Sequence, residues 1–124
     1  MDFETAPAAG VAAVTVDGGL SMDSVREALL RLAHPTAPPP HRVLLDFRPA
    51  RGSLSSRDVF QLVRVLTDHP EAFGGRIALL DNYKRYDKAE FFCAAAAELG
   101  FEFQAFLTPQ DATNWLTTAS RVAA

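Results

Sequence analysis

At 124 residues, 48% of them apolar and 22% charged, the chain is long enough to bury a core without metal or disulfide staples and too apolar to stay disordered. A formal net charge of −3 removes any global attraction to phosphate backbones, so nucleic-acid binding is not expected. One cysteine excludes a disulfide framework, no run approaches the ~20 apolar residues of a membrane span, and Met1-Asp2-Phe3-Glu4 lacks the basic start of a signal peptide. The expectation is a single cytoplasmic domain over residues 1–124.

Residues 3–6 and 11–16 alternate as two short strands around Pro7-Ala8-Ala9-Gly10, a hairpin connection. Asp17-Gly18-Gly19 breaks the chain, and Met22, Val25, Leu29, Leu32 and Ala33 then recur at helical spacing up to His34-Pro35. Four prolines between Pro35 and Pro40 make an exposed connector. The nearly continuous apolar run Val43-Leu44-Leu45-Asp46-Phe47 reads as a central strand covered on both faces.

A second helix is expected from about Ser56 to Asp68. Ser55 and Asp58 stand in the relation of a capping box, and Leu54 with Val59 can form a hydrophobic staple. Ile77-Ala78-Leu79-Leu80 is a further buried strand, and a helix follows from about Tyr86 to Leu99, ended by Gly100 as a left-handed stop. Phe101 to Phe106 alternates as a last strand. Thr108-Pro109-Gln110-Asp111 then starts a fourth helix whose buried stripe is Ala112, Trp115, Leu116 and Ala119. The order is β-β-α-β-α-β-α-β-α, an α/β arrangement in which strands joined through helices run parallel.

This order resembles the STAS superfamily, and in particular its SpoIIAA-like branch, which is often grouped with CRAL-TRIO lipid-transfer domains. The residues that carry the resemblance are Val43-Leu44-Leu45-Asp46-Phe47, Arg51-Gly52-Ser53-Leu54-Ser55-Ser56, Arg76-Ile77-Ala78-Leu79-Leu80, Tyr86-Asp87-Lys88-Ala89-Glu90-Phe91-Phe92 and Asp111-Ala112-Thr113-Asn114-Trp115-Leu116. The resemblance implies a mixed, mostly parallel sheet of about five strands with about four helices, and a binding or regulatory role. In regulatory members the loop after the central strand carries Asp-Ser-Ser-Gly, whose first serine is phosphorylated by a partner kinase. The matching positions here are Leu54-Ser55-Ser56-Arg57, with both serines kept and the flanking acid and glycine replaced. Ser55 is therefore a candidate phosphorylation site, with capping of the helix as its structural alternative.

If the strands ending near Phe47 and Asp81 are parallel, the loops that follow them emerge on one edge of the sheet, where open α/β folds bind ligands. That edge gathers Arg48, Arg51, Ser53, Ser55 and Ser56 from one loop with Tyr83, Lys84, Arg85 and Tyr86 from the other, a set able to hold a phosphate, a carboxylate or a lipid head group. Solvated loop cations, partly neutralised by Asp46 and Asp81, are the alternative. The apolar positions of the second helix span roughly 220° at 100° per residue, wider than one sheet contact needs. Phe60, Leu62 and Val65 are thus a candidate surface for a protein partner or a homodimer, unless a neighbouring helix covers them.

Evidence for catalysis is thin. Asp46 has no second carboxylate beside it for metal-assisted phosphoryl chemistry, and His34, His41 and His69 lack metal-ligand spacing. Cys93 lies in an apolar helical segment with no basic neighbour, as an inert buried thiol does. No metal or cofactor is expected. The sequence points to a non-enzymatic binding or regulatory domain whose partner is a protein, with a lipid or small anion at the sheet edge as the alternative and an uncharacterised enzyme as the third reading.

Overall fold

The computed structural model describes residues 2–5, 11–32 and 42–117. The expected connection at 7–10, the proline-rich connector at 35–40, and Ala33, His34, His41 and Ala119 lie outside the described residues. The strands are β1 (Asp2–Thr5), β2 (Val11–Thr15), β3 (Gly18–Gly19), β4 (Arg42–Asp46), β5 (Ala50–Arg51), β6 (Arg76–Leu80) and β7 (Glu102–Phe106). The helices are α1 (Met22–Leu32), α2 (Ser56–Asp68), α3 (Tyr86–Glu98) and α4 (Pro109–Thr117), with a 3-10 turn at Pro70–Phe73.

The main sheet has five strands in the order β1-β2-β4-β6-β7. The β1–β2 hairpin is antiparallel, while β2, β4, β6 and β7 are parallel to one another. Alternation along each strand then sorts the core into two faces. Val14, Val43, Leu45, Ile77, Leu79, Phe103 and Ala105 pack with α1, α2 and α3 on one face. Val11, Leu44, Ala78 and Phe106 pack with Ala112, Trp115 and Leu116 of α4 on the other. Covering both faces is what turns Val43-Leu44-Leu45 into an unbroken apolar run.

Three helices side by side explain the wide apolar arc of α2. It is the middle helix, packed against α1 on one flank, α3 on the other and the sheet beneath. Its start is built as the sequence implies: Ser55 Oγ accepts from the Asp58 amide at 3.0 Å, and the Asp58 carboxylate accepts from the Ser55 amide at 3.4 Å. Ser55→Ala should therefore lower the unfolding free energy by about 1 kcal/mol in a urea titration, whereas the exposed Ser56→Ala should change it by less than about 0.5 kcal/mol. Gly100, at φ +95°, ends α3 in the left-handed conformation expected of it.

The short ladder β3–β5 and the 3-10 turn were not legible in advance. Gly18 and Gly19 pair in parallel with Ala50 and Arg51, and the Leu20 amide donates to the Arg51 carbonyl at 2.7 Å. This ladder anchors the loop after β4 to the segment before α1.

Candidate functional site

The loops after β4 and β6 do meet at one edge of the sheet, and the group that joins them is Arg85. Its Nε and Nη2 donate to the Asp81 carboxylate at 2.8–3.2 Å. Nη2 also donates to the Phe47 carbonyl at 2.7 Å, and Nη1 to the carbonyls of Ala50 and Gly52 at 2.9 and 3.0 Å. Gly52, at φ +95°, turns its carbonyl into this fan in a conformation that side-chain-bearing residues rarely adopt. With Arg85 9% and Asp81 5% exposed, the pair is a buried clamp. The expectation that Arg85 faces a ligand is corrected: the fork geometry of guanidinium is already matched by a carboxylate and three carbonyls.

Arg48 is likewise held locally, its Nε and Nη2 donating to Asp46 at 3.0 and 2.8 Å, a contact that raises its pKa. Arg51, Ser53, Tyr83 and Lys84 are exposed. Ser55 serves the α2 cap, and Ser56 Oγ accepts from Lys88 Nζ of α3 at 3.1 Å. Tyr86 donates its hydroxyl to the Ala105 carbonyl at 3.2 Å, and burial, reinforced by Glu90, raises its pKa. The cluster expected from the sequence thus divides into paired cations, Arg48 and Arg85, and exposed ones, Arg51 and Lys84. Lys88, which the sequence reading passed over, is the cation that bridges α3 to the start of α2.

Beneath the clamp lies an apolar cavity of about 50 Å³ between the sheet and α1–α3, lined by Leu20, Leu29, Leu54, Val59, Phe92 and Lys88 among others. Leu54 and Val59, the expected staple, both border it. Trp115 does not. It sits on the opposite face, against Phe106 and beneath Arg76, whose guanidinium stands 5.3 Å from the indole and donates to the Trp115 carbonyl at 2.7 Å.

Of the expected partner surface only Phe60 is exposed, at 55%. Leu62 is fully buried and Val65 nearly so, because α1 and α3 flank α2. Both belong to the core, which corrects that part of the expectation. Phe60 meets Phe91 of α3 edge to face at 5.1 Å, so the off-stripe aromatics of two helices form one surface feature. Cys93 is buried on the inner side of α3, and burial pushes its thiol up to about 12. Among the described residues no group of three or more His, Cys, Asp or Glu is placed to hold a metal ion, and no helix is long and apolar enough to cross a membrane.

Four helices, a parallel sheet of unreversed strand order and an antiparallel edge hairpin together make this the SpoIIAA-like α/β fold. The chain is similar to an uncharacterized DUF3478-family protein from Shewanella loihica PV-4, whose crystal structure has a SpoIIAA-like fold. The match has a TM-score of 0.58 at 20% identity and covers 93% of this chain and 90% of that one. No family model and no curated protein matches the sequence.

Proposed function

We propose that this chain acts by non-covalent binding of a protein partner, through the outer surface of α2, and not by catalysis. The observation that carries this reading is Phe60. A large aromatic more than half exposed, backed by a second ring and standing one turn from a rigidly capped helix start, has the make-up of an interface anchor. Two features weigh against a ligand pocket at the neighbouring edge. The parallel strands never reverse order, so no switch-point crevice opens, and the cavity of about 50 Å³ is far below the ~300 Å³ at which drug-sized ligands begin to fit.

The test is capture from an extract of the protein's native cells on immobilised wild type, Phe60→Asp, and the edge variant Arg51→Glu/Lys84→Glu. A partner that, once purified, binds wild type and the edge variant alike but loses at least about tenfold in affinity for Phe60→Asp upholds the reading. Binding that depends on Arg51 and Lys84, or a lipid or anion released from the native protein and seen by mass spectrometry, would transfer the function to the sheet edge.

A further inference from the structure

Charge on the outer surface of the helical layer is spread unevenly over the helices. On α1 it is mixed, and Glu27 pairs with Arg31 one turn on at 3.7 Å. On α2 the exposed charges within about one turn of Phe60 are cationic, Arg57 and Arg64, with Asp68 beyond them at the end of the helix; on α3 the exposed charges are anionic, Asp87, Glu90 and Glu98, and Lys88 is half-buried. Although α2 and α3 are neighbours, none of Arg57, Arg64, Asp87, Glu90 and Glu98 forms an ion pair within the described part of the chain. Between the two rows lie the rings of Phe60 and Phe91, with the half-buried Ala95 one turn further along α3.

The two helices are also matched in length and level. Each is 13 residues long, and each follows one parallel strand and leads to the next, so they point the same way. Ser56 meets Lys88 and Phe60 meets Phe91, so the two helices stand level to within about two residues, or ~3 Å. A twofold axis lying between them and along their common direction sets α2 of one copy over α3 of another, and the reverse. At that register Phe60 comes over the other copy's Phe91. Arg57 comes over the turn that starts at Asp87, and Arg64 over Ala94 and Ala95, within one turn of Glu98; Asp68 comes level with Glu98, so the attraction is concentrated at Arg57 and Asp87. The alanines leave room for the close approach, and each pairing occurs twice.

We propose that the α2–α3 face is a self-complementary interface and that its occupant is a second copy of this chain, the two related by a twofold axis that places Arg57 and Arg64 of α2 over the anionic α3. This rests on the partner reading above and specifies it. A basic face with no anionic row beside it would suit an acidic partner instead; here both halves of the complement are carried by one surface.

Sedimentation velocity of the full chain from about 1 to about 500 μM, a range that brackets micromolar association, tests it. The weight-average mass should rise from the monomer value of 13.5 kDa toward twice that, and the rise should need several-fold more protein at ~1 M salt than at ~50 mM. Arg57→Glu alone and Asp87→Arg alone should each weaken association at least about tenfold, since like charges then face each other twice, and the double variant should regain most of it. All the positions changed are exposed, and circular dichroism checks that each variant is folded. A wild type that stays monomeric to 500 μM, or a dimer indifferent to these changes, overturns the second-copy assignment. A monomer that still binds a different protein in a Phe60-dependent way leaves the partner reading standing, so the two failures are told apart.

Discussion

Arg85→Met should destabilise the fold by about 3–5 kcal/mol, the cost of leaving a buried carboxylate without its cation. Asp81 is 5% exposed and would keep only the Asn82 amide, which donates to it at 2.8 Å. The carbonyls of Phe47, Ala50 and Gly52 would lose their side-chain donor at the same time. Arg85→Lys should recover little, because a compact ammonium cannot span a carboxylate and three carbonyls that a planar fork reaches together. Urea unfolding of the two variants measures the first effect, and amide exchange over β5 and the start of α2 measures the second, since the loop between β4 and α2 is held by this side chain. An Arg85→Met variant within about 1 kcal/mol of wild type would show that the clamp is dispensable.

Leu62→Ala should cost about 3 kcal/mol, in the range for emptying a fully buried leucine site, while Phe60→Ser two residues earlier should cost no more than about 1 kcal/mol, the worth of its contact with Phe91, and weaken partner binding at least about tenfold. The contrast separates two residues that periodicity alone grouped together. Leu62 fills the layer between α2 and the sheet; Phe60 stands outside it, touching Phe91. Equal losses of stability at both positions in chemical denaturation would mean that the outer ring is part of the core, and the interface reading would lose its anchor.

These two cases mark what the sequence could and could not disclose. The main helices and strands were legible because they are signalled locally: the Ser55–Asp58 box, Gly100, the Thr108-Pro109 start and the apolar run after Arg42 all act within a few residues of themselves. The edge that gathers the β4 and β6 loops was also legible, since it follows from parallel pairing. What each cation does there was not. Asp81 and Arg85 have the i, i+4 spacing of a helical ion pair, but the three carbonyls that complete the clamp lie 33 to 38 residues away in the chain. The apolar arc of α2 is too wide for one contact, yet nothing local tells which positions α1 and α3 cover. Lys88 and the β3–β5 ladder carry no periodic signal at all.

The unreversed order of β2, β4, β6 and β7 also bears on how the chain reaches its native state. Within this sheet β2, β4 and β6 each pair with the sheet strand before and the one after in chain order, β7 pairs with β6, and α1, α2 and α3 pack in succession. Each βα unit thus docks onto surface already in place, and no strand must wait for a later one to be inserted beside it. Assembly can advance in the direction of synthesis, with loop closures no longer than one helix and its connections, which keeps the entropic cost of each step low. The growing edge is open at every stage and is last occupied by β7, after which α4 covers the far face.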